Sequence, residues 1–228
     1  MSFNETSLEQ NSYRKQINSV YGAVNVGWKH LVYLDATLRG DQSSTLPIGN
    51  NVYVYPSFSG SFVFSELLKQ SDLMPYGKFR LSWAQVGSDT DPYQLGLVYS
   101  KSKFTYPGYT IGYINNSTMP NKNLKPTKTN SFELGLEMKF LKNRIGLDFT
   151  YYTQNSKNQI MGMASSWTSG YNYRLINAGE IENKGIEIAL NTRPIELKDF
   201  SWDLNLNFSK NSNKVKKLVD GMDMFELE

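Results

Sequence analysis

Between Ser131 and Tyr152 the chain reads SFELGLEMKFLKNRIGLDFTYY, and apolar residues take every second position on both sides of a single break. Phe132, Leu134, Leu136, Met138 and Phe140 alternate with Ser131, Glu133, Gly135, Glu137 and Lys139. Beyond the break, Ile145, Leu147, Phe149 and Tyr151 alternate with Gly146, Asp148, Thr150 and Tyr152. Successive side chains of a strand point to opposite faces, so each half sets one apolar face against one polar face. Helical spacing would scatter the same residues around a cylinder. The break, Leu141 to Arg144, centres on Lys142-Asn143, and Asn tolerates the positive φ of tight hairpin turns. The stretch is a β-hairpin with arms of about ten residues, close to the ~9–11 that a tilted strand needs to cross a bilayer.

The same alternation recurs along the chain. Residues 1–17 are polar and read as a loop. Strands are expected at 18–28, 31–39, 52–64, 78–87, 129–140, 144–153, 180–191 and 200–210, in one all-β domain. Pro56 argues for an edge, an end or a bulge in the third. One helical turn is expected at Glu66–Lys69, and a bulge at Lys184-Gly185, where the apolar face shifts between Ile181 and Ile186. Two long loops are expected, 88–128 and 154–178.

Composition excludes several classes. The 15 Tyr, 12 Phe and 4 Trp favour pleated, half-buried surfaces. A net charge of +3, without a basic helix or an aromatic-basic signature, gives no nucleic-acid partner. Lys210, Lys214, Lys216 and Lys217 read as a solvated strand end. With no cysteine there is no thiol chemistry, Cys-based zinc site or disulfide. The opening MSFNETSLEQNSYRKQ has no apolar core and does not read as a signal peptide. No run approaches ~18 apolar residues, so no transmembrane helix is expected. The mean hydropathy of -0.47 is compatible with a membrane barrel, because only alternate residues of its strands meet lipid.

Connections after the first, third, fifth and seventh strands are comparatively short, and those after the second, fourth and sixth are longer. In an antiparallel meander this puts short turns at one end and long loops at the other, the plan of an outer-membrane barrel. Trp28, Tyr53, Tyr55, Tyr151, Tyr152, Phe200 and Trp202 at strand ends would suit its interfacial girdles. Glu133, Glu137, Lys139, Asp148, Glu187 and Asp203 point away from the apolar face. A closed barrel of ~8 strands fills its interior with side chains, and unpaired charges there would be costly. The chain therefore reads as about eight antiparallel up-and-down strands of a larger transmembrane β-barrel, with a wet inner face.

Several segments resemble one family. LKPTKTNSFELGLEMKFLKNRIGLDFTYYTQNSKNQI (124–160), NAGEIENKGIEIAL (177–190) and the run at 194–215 are similar to the late barrel of SusC/RagA-type TonB-linked outer-membrane transporters. RGDQSS (39–44), YPSFSGSFVFSE (55–66) and RLSWAQVGSD (80–89) resemble earlier strands of that family, in family order. The resemblance implies a 22-stranded barrel with an N-terminal plug, in the outer membrane of a Gram-negative bacterium. It further implies coupling to TonB through the N-terminal part, a SusD-like surface lipoprotein partner, and an oligosaccharide or peptide cargo. No TonB box or plug is recognisable and Gln42 replaces a usual Gly, so the chain reads as an internal fragment of the barrel.

No catalytic, cofactor or metal residues are assigned. Arg39-Gly40-Asp41 spells an adhesion tripeptide, but at a strand end. His30, the lone histidine, falls in an expected tight turn, too little for a metal cluster or a triad. Asp220-Gly221-Met222-Asp223 lacks the ligand spacing of a calcium loop. Glu133 and Glu137 share one strand face rather than flank a cleft. Tyr93, Tyr99, Tyr106, Tyr109, Tyr113 and Trp167 either stack on sugar rings or pack the long loops. Two other readings stay open: a complete eight-stranded membrane barrel serving as an adhesin or structural protein, and a soluble β-sandwich carbohydrate-binding module.

Overall fold

The computed structural model describes residues 12–68, 72–97, 99–102, 107–114 and 117–218. Its elements are β1 (Ile17–Trp28), β2 (Val32–Ser43), β3 (Val52–Phe62), a 3-10 turn (Phe64–Leu67), β4 (Tyr76–Ser88), β5 (Tyr99–Lys101), β6 (Gly112–Ile114), β7 (Thr118–Met119), β8 (Thr127–Phe140), β9 (Ile145–Ala164), β10 (Tyr173–Glu196) and β11 (Ser201–Lys217). The main sheet is an antiparallel meander, β1-β2-β3-β4-β8-β9-β10-β11, with β7 alongside β10 and β5-β6 as a separate ribbon. β1 and β11 do not pair with each other, so the sheet is an open wall and not a closed eight-stranded barrel.

The turns obey local chemistry. Lys29 and His30 both have positive φ, 50° and 55°, and Leu31 donates its N–H to Trp28 O, a tight turn inside a three-residue connection, since Trp28 pairs with Val32. Leu141, Lys142 and Asn143 also lie in the left-handed region, and Phe140 pairs with Ile145. The turn after β3 comes at Phe64–Leu67, two residues ahead of Glu66–Lys69.

Register joins the apolar faces into continuous rows. One row runs Trp28, Val32, Phe62, Phe79, Leu136, Phe149, Ile188, Phe208, strand by strand. These side chains meet no second layer: Val20 is 80%, Phe58 55% and Phe208 54% exposed. A sandwich would bury them between two sheets.

The apolar band slides along the ladder. Trp28 is its lowest member on β1, which stays apolar up to Val20, whereas Phe208, in the same row, is its highest on β11. The slide is roughly one residue per strand, which with a rise of ~3.3 Å and a strand spacing of ~4.8 Å corresponds to a tilt of about 35°. Strands tilted in this way cross a flat apolar slab at a constant height only if their apolar segments are staggered by that amount.

The sheet corrects several expectations. β2 continues through Arg39-Gly40-Asp41-Gln42 to Ser43, and most of 154–178 is ladder, because β9 and β10 extend as one hairpin whose turn is Ser165–Asn172. Polar sequence there marks strands that have left the apolar slab. Lys184 and Gly185 pair in register with both neighbours, so there is no bulge at that point. Gly185 is a glycine because the Tyr152 ring lies across it; an added Cβ would stand 2.6 Å from the hydroxyl. The irregularity lies higher, where Asn158 (φ 57°) faces Gly179 (φ 79°) and the β11 register shifts at Glu180/Ile181. Tyr53, Tyr55 and Tyr152 stand on the polar face opposite Asp41, Arg39 and Glu133, not in an outer girdle.

Candidate functional site: the polar face and its mouth

The polar face is organised by cross-strand charge. Arg80 on β4 reaches over β8 to Asp148 on β9, with Nη2 donating to Oδ1 at 2.9 Å and Oδ2 at 3.2 Å. Asp203 holds Arg193 at 2.7 Å, and the Lys139 ammonium sits 5.3 Å from the centre of the Tyr76 ring. Glu133 and Glu187 have no ion-pair partner among the described residues, which a hydrated face tolerates and a dry one would not. Ser59 and Asn25 both donate to Asp35.

At the long-loop end the network tightens. β2 carries Arg39, Asp41 and Ser43 inward at alternate positions. Arg39 Nε donates to Asp41 Oδ1 at 2.9 Å, and the Tyr55 hydroxyl donates to Asp41 Oδ2. Asp41 is only 5% exposed, so the Arg-Gly-Asp tripeptide is built into the ladder and not displayed. Two residues on, Ser43 and Thr45 donate to Asp89 Oδ2, while Lys15 donates to Oδ1 at 2.6 Å. One carboxylate thus fastens the approach to β1, the β2–β3 loop and the segment after β4. Burial pushes the Asp89 pKa up, but hydrogen bonds from Lys15, Ser43 and Thr45 outweigh it, and the group lies below the ordinary aspartate value.

A small apolar cluster underlies this network. Leu46, Tyr53 and Leu124 are buried together, with Tyr55, Leu95, Ile160 and Leu175 around them. Leu124 comes from the segment ahead of β8, which is fastened to β10: the Asn177 amide donates to Lys125 O and accepts from Lys125 N, both at 2.7 Å. Asn121 Nδ2 donates to Leu175 O at 3.0 Å. The long loop is therefore folded against the wall at its mouth.

Of the tyrosines in that loop, Tyr93 accepts a hydrogen bond from Arg14 N at 3.1 Å and keeps its ring largely exposed, as do Tyr109 and Tyr113. Tyr106, the side chains of Tyr99 and Trp167, and Asp220–Asp223 lie outside the described residues. His30 borders a shallow polar depression with Tyr33, Ser61, Glu66 and Lys78 at the short-turn end. Among the described residues no cluster of three or more His, Asp or Glu could hold a metal ion. Sequence reasoning missed Asp89 and Leu124. Gly135, small in a row of long polar side chains, was the available sign of the Arg80–Asp148 crossing.

A tilted antiparallel meander with an exposed apolar outer face, a charged inner face and loops gathered at one end defines a class: a section of the wall of a large transmembrane-type β-barrel. Comparison gives the family. Residues 2–222 match the family model described as TonB dependent receptor-like, beta-barrel, and the chain belongs to that family. It is similar to TonB-dependent receptor P3 of Formosa agariphila, 30% identical over 224 residues, covering 96% of this chain and 22% of that protein. TonB-dependent receptor SusC of Bacteroides thetaiotaomicron is 29% identical over 225 residues, covering 94% and 22%. Among solved structures, the RagAB peptide importer in its closed-closed state superposes with a TM-score of 0.85 at 22% identity, over 92% of this chain and 23% of that one. The siderophore receptor PirA of Pseudomonas aeruginosa superposes with 0.59, over 88% and 35%. The chain thus spans about a fifth of the length of the curated relatives it matches.

Proposed function

We propose that this chain forms part of the barrel wall of a TonB-dependent nutrient importer in the outer membrane of a Gram-negative bacterium. The outer face contacts lipid, the Arg80–Asp148 face lines a hydrated lumen, and the Asp89 mouth faces the cell exterior. The observation that carries this reading is the staggered apolar band, which fits a lipid slab crossed by tilted strands. The neighbour described as the RagAB peptide importer supports a peptide as cargo. The resemblance of the strand segments to SusC/RagA-type transporters supports an oligosaccharide as the other cargo class, a SusD-like lipoprotein over the mouth and TonB engaged by another part of the protein. No catalytic residue and no cofactor is assigned.

The test is a deletion of the gene that encodes the full-length receptor. Expected is an outer-membrane fraction that loses the protein, and a strain that loses growth on one oligosaccharide or peptide source while growing normally on the monomers. Growth unaffected on every such source, or a receptor recovered wholly in the soluble fraction, would refute import.

A further inference from the structure

The inner face and the mouth leave one charged cluster unused, on the opposite side of the sheet. Lys210, Lys214 and Lys216 occupy alternate positions of β11 and share the face of Phe208. On β10 the partners of Lys210, Ser212 and Lys214 are Ile186, Lys184 and Glu182. Moving toward the long loops, the outer face therefore passes from Ile188–Phe208 through Ile186–Lys210 to a basic patch. Aliphatic surface gives way to cations at the upper edge of the apolar band.

Two carboxylates hold the patch together without neutralising it. Glu182 lies 3.0 Å from Lys216 and 3.8 Å from Lys184, and Glu180 lies 3.5 Å from Lys157. Lys210 and Lys214 make no ion pair among the described residues. On β8 the patch is extended by Lys128, which faces Lys157 of β9. Farther along the wall the corresponding level is polar and uncharged: Gln85 donates to Asn130 at 2.8 Å across β4 and β8, and Asn18 pairs with Gln42 across β1 and β2. The cation excess is confined to the β8–β11 sector, where Lys128, Lys157, Lys184, Lys210, Lys214 and Lys216 outnumber Glu180 and Glu182.

We propose that this sector binds the phosphate-bearing headgroup of a lipid in the leaflet on the long-loop side. The inference rests on the membrane reading given above. Ammonium groups at the rim of a lipid-contacting band stand at the depth of lipid phosphates, and several of them act together on one anionic headgroup. The lipid's chains would lie on the Ile186, Ile188 and Phe208 rows directly below.

The test reconstitutes the full-length receptor into vesicles of neutral phospholipid, doped with a bisphosphorylated glycolipid or with its dephosphorylated form. Lipid retained after detergent extraction is read by native mass spectrometry. Wild type should retain the phosphorylated form selectively, and Lys184→Gln/Lys210→Gln/Lys214→Gln should cut that selectivity at least about fivefold, more at low salt than at high. Lys142→Gln/Lys198→Gln, at the other end of the wall, should leave it unchanged. Equal insertion without preference for phosphate, or a triple variant as selective as wild type, overturns this proposal alone. A receptor that inserts into neither vesicle overturns the membrane reading and this proposal with it.

Discussion

Arg80 and Asp148 face each other from β4 and β9, with a whole strand between them, and they meet at 2.9 Å because the intervening β8 residue is Gly135. A Cβ at Gly135 would stand 2.7 Å from Arg80 Nε and 2.8 Å from Nη2. The pair therefore fixes three strands in register through one missing side chain.

Gly135→Ala in the full-length receptor should push the guanidinium aside without disrupting the sheet, because what it strikes is the flexible end of a long side chain. Both partners are about a third exposed, so the loss should be about 0.5–1 kcal/mol. In an Asp148→Asn background the same substitution should cost less, by about 0.5 kcal/mol. Additive urea-unfolding energies would show that the glycine is not what lets the pair form.

Leu81 lies in the outer apolar band and Ser82 beside it faces inward. Leu81→Arg should destabilise folding into vesicles by about 2–4 kcal/mol, the cost of arginine near a bilayer midplane. Ser82→Arg should change it by no more than about 0.5 kcal/mol. Equal costs in a urea titration would mean that the two faces are not distinguished by lipid.

These faces were the most legible part of the chain, and the reason is physical. Period-2 alternation records which side of a strand meets an apolar phase, so Phe132 to Phe140 and Phe200 to Phe208 announced both strand and orientation. Once a strand leaves the apolar slab both its faces are wet and the alternation fades. This is why Gln154 to Ala164 and Tyr173 to Ala178 looked like loop, although they are ladder. Asp89, Ser43 and Lys15 could not be grouped from sequence, since contacts between residues so far apart depend on how the loops come together at the mouth. The tyrosines Tyr53 and Tyr55 were misplaced because aromatic identity does not say which face a residue occupies, whereas their partners Asp41 and Arg39 do.

Leu124 is fully buried in the cluster with Leu46 and Tyr53. Leu124→Ala should cost about 2–5 kcal/mol in local stability. The effect should appear as faster protease cleavage between residues 107 and 126 and unchanged cleavage at the Lys142 turn. A uniform increase at both sites would point to global rather than local loosening.

Asp89 supplies a pH dependence whose sign follows from its depressed pKa. Its folded value lies below the unfolded one, so its contribution is complete above the ordinary aspartate range and is lost as pH falls through the lower folded value. Asp89→Asn should therefore destabilise the mouth at neutral pH by about 1–3 kcal/mol. Toward acid, below that folded value, the wild-type and variant protection of the 89–97 segment against hydrogen exchange should converge. A difference that stays constant into strong acid would exclude Asp89 as the titrating group.

The opposed left-handed residues Asn158 and Gly179 mark a joint in the β9–β10 hairpin. Beyond that joint Ile160 and Leu175 rest on the same cluster as Tyr53 of β3, on a different part of the wall. The upper half of the hairpin is thus an awning tied to β3 by its apolar underside, above a joint in its own strands. Whatever loosens the cluster around Leu124 should therefore free the upper part of the hairpin first, because the strand pairing below the joint does not depend on it.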